Sequence, residues 1–254
     1  MEIRGKYRVT HLLGEGKFGK VYKGIEFLKS CMIKDVAIKM EQTKFGLLKH
    51  ETSILNYLNQ KKCQNVPIVL WFGIEAKIPC LIIPYYSFPL MEYIKENSIE
   101  DELSFMKSML DILHQIHKLD IIHRDIKPDN IMLNERYQFI LIDFGLSIFS
   151  KKGNEIKQKN APNNLMTGNL LFASVNIHEQ YKPRKIDDII SLAYIGLFLC
   201  LKSSLPWIGK PSIQYFFLKS KENLELYQTN YTKRIISFIN ELYRKDMLLY
   251  FYKE

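Results

Sequence analysis

The stretch that most restricts this chain is His123-Arg124-Asp125-Ile126-Lys127-Pro128-Asp129-Asn130, followed after a short gap by Asp143-Phe144-Gly145. Pro128 fixes the backbone and keeps the polar string from running on as a helix. Apolar runs, Ile131-Met132-Leu133 and Phe139-Ile140-Leu141-Ile142, read as short strands that flank and present the polar residues. A lone Asp-Phe-Gly would carry little weight. The longer string at this distance from it excludes a chance polar loop. Its residue types are those that phosphoryl transfer needs: a carboxylate, a cation, and oxygen ligands for a hard metal ion.

Upstream, Tyr7 to Leu13 alternates as a strand and leads into Gly14-Glu15-Gly16-Lys17-Phe18-Gly19-Lys20-Val21. Glycines let a backbone come close to phosphates and take positive φ where needed. Alone, this pattern would also suit a dinucleotide site or a plain hairpin. A dinucleotide fold wants a helix at the last glycine, whereas Lys20 to Gly24 reads as a second strand. Val36-Ala37-Ile38-Lys39 is a further strand, and its lysine alone could be merely exposed. Thr43 to Gln60 reads as a helix with Leu47, Leu48, Glu51, Ile54, Leu55 and Leu58 on one face. A carboxylate within such a face needs a partner, and Lys39 is the obvious one. Val66 to Leu70 and Cys80 to Ile83 read as strands. Asp101 to Leu119 reads as a helix whose apolar face is Leu103, Met106, Leu110, Leu113 and His117. His114 and His117 have no acid or cysteine at ligand spacing and read as ordinary helix histidines.

Taken together, these motifs resemble the eukaryotic protein kinases. That resemblance implies an α+β, two-lobed kinase fold, with a small β-rich N-lobe and a larger, mainly α-helical C-lobe. It implies one kinase domain over residues 1–254, with an N-lobe of about 1–84, a hinge of about 84–88 and a C-lobe of about 89–254. Asp125 would then accept the proton of the incoming hydroxyl, and Lys127 would neutralise the γ-phosphate of ATP. Lys39 would pair with the α- and β-phosphates and be held by Glu51. Asn130 and Asp143 would hold Mg2+. The remaining nucleotide contacts would come from Leu13, Gly14, Gly16, Gly19, Val21, Ala37, Ile83, Tyr85, Tyr86 and Met132. Ile83 would guard the pocket behind adenine, and Pro84-Tyr85-Tyr86-Ser87 would form the hinge.

A narrower resemblance lies downstream. Most kinases close the activation segment with Ala-Pro-Glu. This chain instead has Gly168-Asn169-Leu170-Leu171-Phe172-Ala173-Ser174-Val175-Asn176. With Asp187-Asp188-Ile189-Ile190-Ser191-Leu192-Ala193-Tyr194 and Ser204-Leu205-Pro206-Trp207, it is similar to the casein kinase 1 family. The resemblance runs from about Tyr7 to Trp207. It implies a serine/threonine kinase, and it implies that Asp188 anchors the catalytic loop through backbone bonds near His123. Three departures stand out. Asn169 replaces a threonine expected to bridge Asp125 and Lys127, and Leu171 replaces an arginine expected to hold a substrate phosphate. The large lobe also reads one helix short after Tyr231 to Lys245, whose apolar face is Ile235, Phe238, Ile239 and Leu242.

Regulation and partners follow from composition. Residues 151–166 contain no Ser, Thr or Tyr, and Ser147, Ser150 and Thr167 at the edges are weaker candidates, so activity without activation-segment phosphorylation is expected. The formal charge of +9, spread over scattered lysines, suits acidic protein substrates more than a nucleic-acid patch. Cys31, Cys63, Cys80 and Cys200 show no metal or disulfide spacing. With no apolar leader, an intracellular protein of cytoplasm or nucleus, acting as a monomer, is expected. Ile189 to Leu201 is too short to span a bilayer and reads as a buried helix. Two rivals remain at this point. One is a kinase-like scaffold that binds nucleotide or a partner without efficient catalysis, and the other is the related vaccinia-type kinase branch.

Overall fold

The computed structural model describes residues 1–16, 19–27, 33–42, 46–96, 102–150, 169–208, 224, 229 and 232–244. Lys17, Phe18, Thr167, Gly168, the 151–166 stretch, Cys31, Tyr231 and the chain after Arg244 lie outside them. The chain divides into two compact units. The first comprises Met1–Pro89 together with Met132–Gly145, and the second Leu90–Ile131 with Leu146–Glu254.

The first unit is built on an antiparallel sheet. Its strands are β1 (Glu2–Ile3), β2 (Tyr7–Gly16), β3 (Gly19–Phe27), β4 (Ile33–Glu41), β5 (Trp71–Glu75) and β6 (Ile78–Pro84). They are ordered β1-β2-β3-β4-β6-β5. Along β4, Val36, Ile38 and Met40 enter a core with Ile3, Tyr7, Cys80 and Ile82. Ala37, Lys39 and Glu41 therefore point to the opposite face. Helix α1 (Leu47–Gln60) buries Leu48, Glu51, Thr52, Ile54, Leu55 and Leu58. Leu47 on the expected face is only half-buried. The expected strand at Val66–Leu70 is absent, and β5 begins at Trp71. Pro67 has no N–H to give a ladder. The Asn59 side chain instead takes this segment, donating to Pro67 O (3.1 Å) and accepting from Val69 N (3.3 Å). Short strands β7 (Phe88–Pro89), β9 (Ile131–Leu133) and β10 (Phe139–Leu141) form a second sheet in the order β10-β9-β7.

The second unit is helical. Helix α2 spans Leu90–Glu96, α3 Glu102–Lys118, α4 Val175–His178, α5 Lys185–Cys200 and α6 Lys233–Arg244. Helix α5 is apolar around its whole circumference and is buried from Ile186 to Leu199, as such a sequence requires. Gly196 lets neighbours come close: a Cβ there would lie 2.9 Å from Met106 Sδ and 3.1 Å from Ile235 Cδ1. The buried face of α3 is rotated from the expected one. Phe105, Met109, Ile112, Leu113, Ile116 and His117 are buried, while Met106 and Leu110 are half-buried. In α6 the buried residues are Ile236, Ile239 and Leu242, with Ile235 and Phe238 half-covered. In a two-stranded ribbon, β8 (Ile121–Ile122), next in sequence to the His123–Asn130 string, pairs with β11 (Ile148–Phe149). Among the described residues, no helix is long and apolar enough to cross a membrane.

Candidate active site

In the first unit, Lys39 meets two carboxylates. Its Nζ donates to Glu51 Oε1 at 2.6 Å and to Asp143 Oδ1 at 3.3 Å. Burial opposes the ammonium charge, but Asp143 and Glu51 outweigh it and raise the Lys39 pKa. Glu51 is 2% exposed, and burial pushes its own pKa up against the pull of Lys39. The partner expected for this carboxylate is therefore present. Glu51 Oε1 also accepts from Phe144 N at 3.3 Å, which ties α1 to the Asp-Phe-Gly turn. Asp143 takes φ 65°, a left-handed backbone that aspartate tolerates better than most residues.

Strand register gathers most of the expected nucleotide contacts in this unit. Gly14 pairs with Val21, Gly16 with Gly19, Val21 with Lys39, and Ala37 with Ile83. Leu13 is exposed on β2, and Met132 lies on β9 opposite Pro89. Tyr85 follows β6, where its ring carries Lys23 Nζ at 4.6 Å. Tyr86 is half-buried, and burial pushes its hydroxyl up to about 12. The glycines differ in what they need. A Cβ on Gly19 would strike Met40 O at 2.1 Å, so strand packing alone demands glycine there. Gly14 and Gly16 would meet nothing within 4 Å, and neither has positive φ. Left-handed backbone, one reason expected for the glycines, is thus not theirs. What a Cβ would occupy at Gly14 and Gly16 is open space, as a phosphate approaching the main chain requires.

In the second unit, Asp125 is 6% exposed and held on both oxygens. Oδ1 accepts from Asn169 N at 2.9 Å. Oδ2 accepts from Asn130 Nδ2 at 2.9 Å and lies 2.8 Å from Lys127 Nζ. The bond expected from the side chain of residue 169 is thus made by its main chain. The Asn169 side chain turns instead to accept from Leu171 N at 2.8 Å. Asn130 Nδ2 also donates to Asp125 O at 2.8 Å. With its NH2 committed to Asp125, Asn130 offers its amide oxygen elsewhere. Asp143 is half-exposed and offers a carboxylate. Each is a hard oxygen donor of the kind magnesium takes.

Asp188 organises the loop that carries Asp125. It accepts from His123 N (2.8 Å) and Arg124 N (2.9 Å), and its Oδ2 is 2.9 Å from His117 Nε2. Burial works against its charge, but the His117 and His123 rings and the Arg124 N–H hold its pKa below the usual carboxylate range. Arg124 has φ 73°, a costly backbone for a long side chain, fixed by these bonds. His117, read as an ordinary helix histidine, is a fully buried partner of Asp188.

Two further residues were visible in the motifs without a role. Asp187 Oδ1 accepts from Ser174 Oγ (2.6 Å) and Asn176 Nδ2 (3.2 Å), and Oδ2 accepts from Arg184 N (2.8 Å). Burial raises the Asp187 pKa despite these donors. Trp207 is fully buried and donates from Nε1 to Leu171 O at 2.8 Å, packing edge-on against Tyr194 at 5.3 Å between ring centroids. Together Asp187 and Trp207 pin the segment whose start, Asn169, touches Asp125. A polar acid beside another acid at the head of an apolar helix was the available signal for Asp187.

The family model for the protein kinase domain matches residues 7–248, which takes in both of these charged clusters. The chain belongs to the protein kinase family, and its activity is that of a protein kinase phosphotransferase.

Proposed function

We propose that this kinase is of casein kinase 1 type and moves the γ-phosphate of ATP onto serine and threonine hydroxyls of acidic proteins. The observation that supports the subfamily most is the pair Ser174 and Asn176 on Asp187. An Ala-Pro-Glu closure would supply neither donor, whereas Ser-x-Asn supplies both.

In the proposed reaction, Asp125 orients the substrate hydroxyl and takes its proton as the new O–P bond forms. The bond from the γ-phosphorus to the bridging oxygen breaks, and ADP keeps that electron pair. Lys127 lies beside the Asp125 carboxylate and meets the negative charge on the moving group. Lys39, kept cationic by Glu51 and Asp143, positions the α- and β-phosphates. Bound magnesium, with Asn130 and Asp143 as its ligands, would offset charge on the phosphate oxygens. Arg124 could grip an activation-segment phosphate, yet residues 151–166 offer no hydroxyl to carry one. The enzyme is therefore active without that modification.

Leu171 cannot pair with a substrate phosphate, and a charge-assisted bond of that kind is worth roughly 1.5–3 kcal/mol. Acid preference then rests on the general +9 charge and fades with salt. Phosphoamino-acid analysis of casein labelled by the enzyme tests the first part, with phosphoserine and phosphothreonine expected. Phosphotyrosine as the main product would refute it. A peptide pair with and without phosphoserine three residues before the target tests the second. Little gain from the phosphate is expected, and a gain of about fiftyfold that survives high salt would contradict the reading of Leu171.

A further inference from the structure

The Lys39–Glu51 pair depends on where α1 stands, and α1 lacks a cap of its own. Its N-cap residue, Gly46, has left-handed backbone (φ 68°) and no side chain to accept from the first turn. Those orphan N–H groups are met from the sheet. Glu41, the last residue of β4, is 4% exposed and reaches across. Its Oε1 accepts from Leu47 N at 2.9 Å, and its Oε2 accepts from Leu48 N at 3.3 Å. A carboxylate there satisfies two donors and also faces the positive end of the helix dipole.

The spacing gives this contact a consequence for the site. Lys39 and Glu41 are two apart on β4, so both face α1 and stand about 6.6 Å apart along the strand. Leu47 and Glu51 are four apart on α1, about 6 Å along its axis. The two attachments are therefore commensurate. Glu41 grips the start of the helix, and Lys39 grips it one turn later. A shift or rotation of α1 that broke the Lys39–Glu51 bond would have to strip the carboxylate from two N–H groups as well, one of them buried.

We propose that Glu41 is a positioning residue for catalysis. By capping α1 from β4 it holds Glu51 on Lys39, so the ion pair is formed without help from a partner protein or a phosphate. The proposal rests on the reading of Lys39 as the residue that positions the phosphates. Its test combines a double-mutant cycle with a measurement that does not involve turnover. In the wild-type background, Glu41→Ala should lower kcat/KM for ATP about tenfold, and Glu41→Gln, which keeps one acceptor, should fall less. In a Glu51→Gln background the same Glu41→Ala change should cost less than about twofold, because the pair it protects is already broken. Amide hydrogen exchange on the nucleotide-free protein should show faster exchange across α1 in Glu41→Ala, with β3 and β4 protected as before.

Equal losses in both backgrounds, or no loss in the first, would overturn the proposal. So would unchanged exchange in α1. If Glu41→Ala does not fold, the same cycle with Glu41→Gln decides, a loss only in the wild-type background supporting the role. Should Lys39→Met and Glu51→Gln both keep wild-type turnover, the reading of Lys39 fails. The exchange of α1 then still reports whether Glu41 holds the helix, so the two failures are told apart.

Discussion

Lys39 owes its place to other side chains. Glu51 and Asp143 surround its ammonium, the first delivered by a helix and the second by a tight turn. Asp125 is gripped by main chain and side chains together, with Asn130 Nδ2 and Lys127 Nζ on one oxygen. Asn169 N binds it directly, and its loop hangs by two backbone N–H groups from Asp188. An ion pair of long side chains breaks when an element shifts by a few ångströms. A carboxylate set in a backbone network moves only if the network unfolds. Damage to the first cluster should therefore appear mainly in activity, and damage to the second in activity and stability together.

The largest effect expected from breaking this contrast is in the first cluster. Lys39→Met and Asp143→Asn should each lower kcat/KM by roughly two to four orders of magnitude, since positioned charge is the main source of catalysis in phosphoryl transfer. Lys39→Met should still fold, because Glu51, whose pKa is already raised, takes up a proton in place of its lost partner. A carboxyl whose folded pKa lies above its unfolded value favours folding more as pH falls. The variant's stability by urea titration should therefore rise as pH is lowered through that raised pKa. Stability that falls over the same window would mean that Glu51 stays charged.

A smaller activity effect with a larger stability effect is expected from Asp188, which acts on Asp125 through its loop. Asp188→Ala leaves the His123 and Arg124 N–H groups buried without their acceptor and should cost about 3 kcal/mol of unfolding free energy. The folded pKa of Asp188 is depressed, so its contribution is complete above the ordinary value of 3.8 and is lost as pH falls below it. The gap between wild type and variant should therefore close in acid. A gap that persists at the lowest pH at which both fold would show that the ionised carboxylate is not what holds the loop.

The smallest effect concerns the segment that supplies Asn169. Trp207→Phe keeps an aromatic ring but removes the donor to Leu171 O, and should cost about 1 kcal/mol of stability. Its kcat/KM should drop a few-fold, with KM for ATP unchanged. A rise in KM for ATP instead would mean that the segment acts on nucleotide rather than on Asp125.

The same contrast explains what could be read before the structure. The Asp125 string and its short flanking strands were legible because local sequence dictates them. The Lys39–Glu51 pair was legible because a carboxylate inside an apolar helix face demands a cation. Asp188 was foreseen as the anchor of the loop, but only through resemblance. The main-chain contact of Asn169 with Asp125 was not legible, since sequence cannot tell which atoms of a residue face a neighbour. Val66–Leu70 was misread because the competitor for its hydrogen bonds, Asn59, lies in the preceding helix. The rotated face of α3 reflects tertiary choice: leucine and methionine at half-buried positions mimic a core stripe. Glu41 carried one local sign, its parity with Lys39 on the strand, but its partners lie beyond a connection whose path the sequence leaves open.

The measurement that bears most directly on the account is phosphoryl transfer from ATP to a serine peptide by wild type and by Asp125→Asn, with nucleotide affinity followed in parallel. Asparagine keeps the size and an acceptor oxygen but cannot take the proton. A fall of roughly two to four orders of magnitude in kcat is expected, with ATP affinity close to wild type and a lowered melting temperature, because an amide cannot accept from both Asn169 N and Asn130 Nδ2. Turnover within a few-fold of wild type would contradict the assignment of Asp125 as the proton acceptor.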